Sequence, residues 1–341
     1  MSAPQLSVVI PVYNEEPGLQ ALFDRLYPAL DNLGMAYEII FIDDGSRDRS
    51  AAILRQQFDR RPDVTRAILF NGNYGQHLAI LAGFEHCRGD VVVTLDADLQ
   101  NPPEEIGKLL AKIGEGHDYV GSIRQARRDS LFRRWASRLI NAVRERTTRI
   151  KMTDQGCMLR AYSRNIVDAI NSCREVNVFV PALAYTFARH PAEVEVRHEE
   201  RAAGESKYSL YKLVRLNFDL MTGFSVAPLQ LFSLLGIFVS LASMATYVIV
   251  IANRWVHSGS LWEGLRAIFD RDILAFFLIG IMLFGLGLLG EYVGRIYEQV
   301  RGRPRYLIAA ILERPGMESK SASAIRTTGV PETDRRSPGQ S

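Results

Sequence analysis

The pattern of apolar and polar positions divides the chain in two. Before about residue 220, short apolar runs rich in β-branched residues alternate with amphipathic stretches. The runs cover 6–10, 37–42, 64–69, 91–95 and 119–123, and the amphipathic stretches include 19–33, 50–58 and 106–113. Strands buried on both faces carry such continuous apolar runs, and strands alternating with helices build βαβ units. The expected fold class is therefore α/β, with a Rossmann-like, mostly parallel sheet.

Beyond residue 228 the pattern changes. Residues 229–252 are 24 positions without a charge, and 273–290 are 18 more. About 20 apolar residues cross a bilayer, so a two-helix transmembrane hairpin is expected, with spans at 229–252 and 273–294. The remaining organisation follows: a domain at 1–207, an amphipathic juxtamembrane segment at 208–228, a connecting loop at 253–272 and a further segment at 295–312. The tail, 313–341, is rich in Ser, Arg, Pro and Thr, and is expected to be disordered.

Charge orients the hairpin. Lys207, Lys212 and Arg215 precede the first span, and Arg295, Arg301, Arg303 and Arg305 follow the second. In the loop, Arg254, Arg266 and Arg271 are offset by Glu263, Asp270 and Asp272. The excess of Lys and Arg outside the loop puts both termini and the large domain in the cytoplasm, and the loop in the periplasm. The N-terminus carries no basic stretch leading into an apolar cleavage signal. The three cysteines (Cys87, Cys157, Cys173) have no metal-ligand spacing and imply no disulfide framework.

Three acidic clusters follow three of the apolar runs: Asn14-Glu15, Asp43-Asp44-Gly45-Ser46 and Asp96-Ala97-Asp98. Ligands of open α/β sheets bind beyond the carboxyl ends of the strands, so the clusters are expected to converge. Carboxylates beside a diphosphate need a cation between them, and Mg²⁺ or Mn²⁺ takes such oxygen ligands together with phosphate. The run Gly72-Asn73-Tyr74-Gly75 lacks the spacing of a phosphate loop. Residues 124–151 carry ten Arg or Lys against Asp129 and Glu145 alone, which asks for an anion. Arginine suits bidentate phosphate recognition. The near-absence of aromatic side chains from the run, with a net charge of only +3, argues against nucleic acid.

Several motifs carry a resemblance. Val8-Val9-Ile10-Pro11-Val12-Tyr13-Asn14-Glu15-Glu16, Asp43-Asp44-Gly45-Ser46 and Asp96-Ala97-Asp98-Leu99-Gln100 resemble the nucleotide-sugar motifs of family-2 glycosyltransferases. Gly204-Glu205-Ser206-Lys207-Tyr208 and the two apolar segments resemble the polyprenyl-phosphate branch. Asn73-Tyr74-Gly75-Gln76-His77, Gln100-Asn101-Pro102-Pro103-Glu104-Glu105, Gly156-Cys157-Met158-Leu159-Arg160-Ala161-Tyr162 and Arg303-Pro304-Arg305-Tyr306 are similar to bacterial undecaprenyl-phosphate 4-deoxy-4-formamido-L-arabinose transferases, which serve lipid A modification and polymyxin resistance.

The resemblance implies a GT-A catalytic domain, a UDP-sugar donor, undecaprenyl phosphate as acceptor, inverting transfer, and a multi-pass protein of the bacterial inner membrane. A homo-oligomer is expected. It implies that Pro11, Tyr13, Glu15, Asp43 and Asp44 hold the nucleoside, with Asp96 near the ribose or phosphate. Asp98, with Asp96 and Gln100 beside it, would serve the metal. Arg124, Arg133, Ser137, Arg201 and Lys207 match positions that hold the lipid phosphate. The Thr-Glu-Asp base motif of processive synthases is absent, and Asp154 is the nearby candidate in its place. Asp98, Asp154 and Lys207 are thus the expected catalytic set. Transfer of glucose or mannose, a processive synthase, and an inactive membrane-tethered nucleotide-binding module are the rival readings.

Overall fold

The computed structural model describes residues 4–124, 152–154, 156–173, 179–199, 226, 229–239, 241–242, 245 and 271–315. The chain divides into two compact units. The first comprises Met1–Asp129, Lys151–Ser206 and Pro304–Ser341, and the second Ser130–Ile150 and Lys207–Arg303.

The first unit is built on an eight-stranded sheet in the order β7-β5-β6-β4-β1-β2-β3-β8. The strands are β1 (Leu6–Val12), β2 (Tyr37–Asp43), β3 (Thr65–Phe70), β4 (Val91–Thr94), β5 (Tyr119–Arg124), β6 (Arg160–Ser163), β7 (Pro191–Val196) and β8 (Ile308–Leu312). Strand β1 pairs in parallel with both β2 and β4, and β2 with β3. Strand β6 runs antiparallel to β4 and β5, so those two point the same way. The central strands carry near-continuous apolar runs because both faces are covered: every residue of β2 and β3 is buried, and in β1 all but Pro11.

Helices cover the two faces. They are α1 (Leu19–Asp31), α2 (Ser50–Arg60), α3 (Gln76–His86), α4 (Ile106–Gly114), α5 (Arg164–Ser172) and α6 (Val180–Phe187). Helix α1 buries Leu19, Leu22, Phe23, Leu26, Tyr27 and Leu30, a single apolar stripe at three- and four-residue spacing. Phe23 packs edge-on to Phe41 of β2 at 5.5 Å. Each such side chain stabilises the fold by roughly 1.5–3 kcal/mol relative to exposure.

At the end of the sheet opposite the acidic loops, Glu38 is fully buried. It accepts hydrogen bonds from Ser7 Oγ (2.7 Å), the Arg88 amide (2.7 Å) and both the Arg88 and Arg66 guanidinium groups. Burial raises its pKa, but Arg66, Ser7 and Arg88 outweigh that and hold the carboxyl below its usual range. Arg66 also reaches Glu313 at 2.6 Å, which anchors the chain just past β8.

In the second unit, residues Leu229–Val239 form an apolar helix, α7, within the first expected span. Helix α8 (Arg271–Val300) runs past the second expected span at both ends. Among the described residues, Leu278–Val300 is the one helix long and apolar enough to cross a membrane. The pairing of two spans into a hairpin falls partly on residues outside the described set. Three strands went unanticipated in the sequence: β6, β7 and β8. β6 is only four residues long, with Arg and Ser at its ends. β8 lies in the 295–312 segment, later in the sequence than the apolar helices, and joins β3 antiparallel.

Candidate active site

The site begins with topology. From β1 the chain moves outward to β2 and β3, whereas β4 lies on the other side of β1. The order reverses between β1 and β4, and the crevice beyond the carboxyl ends at such a point is where open α/β sheets bind ligands. The loops that leave those ends carry Tyr13-Asn14-Glu15 after β1, Asp44-Gly45-Ser46 after β2 and Asp96-Ala97-Asp98 after β4.

A reciprocal hydrogen-bond set joins the first two loops. The Asn14 amide donates to Ser46 Oγ (3.0 Å) and the Arg47 amide to Asn14 Oδ1 (2.8 Å). The Glu15 amide donates to Ser50 Oγ (3.1 Å), and Glu16 and Asp48 exchange similar bonds with the facing backbone. Asn14 adopts a left-handed conformation with φ 54°, which its short amide side chain tolerates. Tyr13 is left 41% exposed beyond the end of β1, and Pro11 is half-buried within the strand.

Asp43 and Asp44 have different surroundings. Asp43 Oδ2 accepts the Ser46 amide at 3.3 Å, whereas Oδ1 is buried without a hydrogen-bond partner, and burial raises its pKa. Asp44 uses both oxygens on the next loop, accepting the Tyr74 amide at 2.6 Å and the Gly75 amide at 2.8 Å. Its pKa is raised by burial and partly restored by those two donors. The two loops can approach because Gly45 (φ 68°) has no Cβ; one would lie 2.3 Å from the Gly72 carbonyl carbon. The amides at 74 and 75 therefore serve Asp44, in keeping with the missing phosphate-loop spacing.

After β4, Asp96 is half-buried and accepts a 2.6 Å bond from Gln76 Nε2 at the start of α3. Burial and then the charge of Asp98 push its pKa up to about 7, with Gln76 and Arg124 opposing. A carboxylate whose charge is opposed by burial and by a neighbouring carboxylate forms a site suited to a cation. Asp98 Oδ1 accepts the Gln100 amide at 3.1 Å across Leu99, which is left-handed at φ 60°. Among the described residues no group of three or more His, Cys, Asp or Glu side chains gathers as for a metal. One or two carboxylates completed by phosphate oxygens is the usual arrangement for Mg²⁺ with a nucleotide, and these residues fit it.

Arg124 closes β5, whose carboxyl end lies on the same side as that of β4. Its Nε and Nη2 bond both oxygens of Asp154, at 2.6 and 2.8 Å. Burial raises the Asp154 pKa, but the Arg124 bond and charge outweigh it and hold the carboxyl below its usual range. A Cβ on Gly156 would meet Arg124 Nη2 at 2.9 Å, so glycine gives the guanidinium room. Beneath this loop the fully buried Arg160 donates to the carbonyls of Asp154 (2.6 Å) and Cys157 (2.8 Å) and to Tyr119 Oη. The Arg124 charge opposes the rise in the Asp96 pKa, and the two residues leave strands that end on the same side of the sheet.

Of the residues expected from the sequence, Pro11, Tyr13, Glu15, Asp43, Asp44, Asp96, Asp98, Gln100, Arg124 and Asp154 belong to this end of the sheet or its loops. Arg133, Ser137, Arg201 and Lys207 lie outside the described residues. Sequence reasoning missed Gln76 and Arg160. Both stand in runs noted for their resemblance, but a polar residue opening a helix and an arginine opening a short strand carry no local sign of their partners.

The Glycosyl transferase family 2 model matches residues 7–170, and with the relatives described next this establishes that the chain belongs to glycosyl transferase family 2. It is 49% identical over 324 residues to the undecaprenyl-phosphate 4-deoxy-4-formamido-L-arabinose transferase of Pseudomonas paraeruginosa, covering 95% of this chain and 94% of that protein. It is 50% identical over 307 residues to the transferase of the same name from Edwardsiella ictaluri, covering 90% and 94%. Among solved structures, glucosyl-3-phosphoglycerate synthase from Mycobacterium tuberculosis, in complex with Mn²⁺, UDP and phosphoglyceric acid, matches 64% of this chain and 76% of its own at 21% identity, with a TM-score of 0.49. The mostly parallel sheet with acidic loops at its carboxyl ends is the GT-A arrangement of the family.

Proposed function

We propose that this glycosyltransferase moves 4-deoxy-4-formamido-L-arabinose from UDP onto undecaprenyl phosphate, with inversion, at the cytoplasmic face of a bacterial inner membrane. The product supplies the sugar for lipid A modification and polymyxin resistance. The observation that carries the reading is that the Asp96–Asp98 loop after β4 and the Asp154-held Arg124 closing β5 lie at the same end of the sheet. Transfer between two phosphates needs such a pairing: carboxylates for a cation on the donor side, guanidinium on the acceptor side.

On the donor side, Asp98 and Asp96 would hold Mg²⁺ or Mn²⁺, which when bound neutralises the diphosphate and the charge of departing UDP. Gln76 fixes the orientation of Asp96. Pro11, Tyr13, Glu15, Asp43 and Asp44 form the nucleoside side. Tyr13 offers an exposed ring, and Asp43 retains an acceptor oxygen suited to an imino N–H.

On the acceptor side, a phosphate monoester with a second pKa near ~6 is mostly a dianion at neutral pH. Its oxygen attacks the anomeric carbon as the bond to UDP breaks, and no proton has to be removed first. Asp154, engaged with Arg124 through both oxygens, is then a positioning residue. Arg124, with Arg133, Ser137, Arg201 and Lys207, grips the phosphate, and positioning plus charge stabilisation supply the rate.

Chain connectivity supports a two-span topology. The chain leaves the first unit at Ser206 and rejoins it at Pro304, where β8 completes the same sheet. One sheet cannot have strands on both sides of a membrane, so the intervening chain crosses an even number of times. If Leu278–Val300 is one crossing, the apolar segment containing α7 is its partner.

Purified enzyme given undecaprenyl phosphate and a panel of UDP-sugars tests the proposal. UDP release should require the lipid, favour the formamido-arabinose donor and vanish with excess chelator. Equal turnover of UDP-glucose would overturn the sugar assignment, and full turnover in chelator would overturn the metal role.

A further inference from the structure

The turn that carries Asp98 is held from outside by a set of ion pairs whose central residue, Arg25, stands in none of the site motifs. The Glu199 amide donates to the Gln100 carbonyl at 2.9 Å, tying the chain that leaves β7 to the residue that caps Asp98. Arg25 of α1 sits between the two segments. Its Nε and Nη2 donate to Glu104 at 3.1 and 3.0 Å, and its Nη1 and Nη2 to Glu199 at 2.8 and 3.1 Å. Arg197 and Lys108 add bonds to Glu105 in the same turn, Arg197 Nε at 2.9 Å. Glu105 is itself buried.

Isolated surface ion pairs contribute little, and Arg25, Glu104 and Glu199 are each 32–49% exposed in their side chains. This case differs in geometry. One guanidinium forks to two carboxylates that would otherwise repel, and fork-to-fork pairs fix direction as well as distance. The held turn also contains Leu99 at φ 60°, a left-handed conformation that persists only where neighbouring contacts impose it.

We propose that Arg25 is a positioning residue for the transfer reaction, clamping the 197–199 segment to the 100–105 turn so that Asp98 is presented to the cation. The proposal rests on the reading that Asp98 and Asp96 hold that cation. Its sign is distinctive. Removing a positive charge near a cation site strengthens cation binding by Coulomb's law alone. Loss of positioning weakens it.

The test is direct binding of Mn²⁺ to the full-length enzyme in the presence of UDP, read by the electron paramagnetic resonance of free Mn²⁺. Arg25→Met should weaken Mn²⁺ binding about tenfold, and Arg25→Lys, which keeps the charge but not the fork, by about threefold. Turnover of Arg25→Met should recover toward wild type as Mn²⁺ is raised, a rescue that general destabilisation would not give. Binding that is unchanged within about twofold, or tighter, overturns the clamp. Wild-type enzyme that binds no Mn²⁺ with UDP overturns the metal reading itself, and is measured first.

Discussion

Both carboxylate oxygens of Asp154 are engaged by the guanidinium of Arg124, through Nε at 2.6 Å and Nη2 at 2.8 Å. A general base needs a free lone pair facing the proton it takes, and an ordinary or raised pKa. Asp154 has neither, since Arg124 holds its carboxyl below the usual range. Asp154→Asn should lower turnover roughly 10²-fold through misplacement of Arg124, by the same factor at every pH from 6 to 9. Activity that returns as pH rises would identify Asp154 as a base instead.

Lys207 and Arg201 stand in sequence just before the amphipathic stretch that leads to the first apolar segment. A polyisoprenyl tail confines its phosphate to headgroup height, where these residues are proposed to meet it. Each charge-assisted bond to the phosphate is worth roughly 1.5–3 kcal/mol. Lys207→Ala and Arg201→Ala should therefore raise the lipid concentration for half-maximal rate about 10–100-fold, with UDP affinity by calorimetry little changed. A collapse of UDP affinity at unchanged lipid dependence would assign them to the donor side.

The proposed even number of crossings can be checked without activity. A reporter fused at Ser258 should read periplasmic, and reporters at Ser2 and Glu313 cytoplasmic. A cytoplasmic signal at Ser258 would mean that the apolar segments lie in the interface and do not span.

His77 opens a pH dependence of stability. Its ring lies edge-on to Phe179 at 5.0 Å, its Nδ1 is buried without a partner, and burial lowers its pKa to about 4. The unfolded chain, with histidine near 6.5, binds the extra proton first as pH falls. Stability is therefore full above about pH 6.5 and declines between 6.5 and 4, by on the order of 3 kcal/mol. His77→Leu should flatten that slope in chemical denaturation across this window. An unchanged slope would mean that other groups carry it.

The parallel core was legible because its strands are buried on both faces, so 37–42 and 64–69 read as unbroken apolar runs. Asp96 and Asp98 were legible because a loop after such a strand has a known place. What escaped notice depends on long-range partners. Arg25 meets Glu104 across 79 positions and Glu199 across 174, which leaves no local period. Gln76 looks like any polar residue at a helix start until Asp96, 20 positions on, is found beside it. Strand β8 follows the apolar segments rather than the alternating pattern of the first half, and its partner Phe70 lies far back in the chain.

That last pairing has a consequence for how the protein is made. Until β8 arrives, β3 presents an open edge of unpaired amides and carbonyls, the kind of edge that recruits foreign strands. Phe70 and Ile308 pair across about 240 residues, roughly 12–50 s of synthesis. Both apolar segments leave the ribosome within that interval. In order of synthesis the catalytic sheet is thus completed only after both apolar segments have been made, and β3 keeps its open edge throughout.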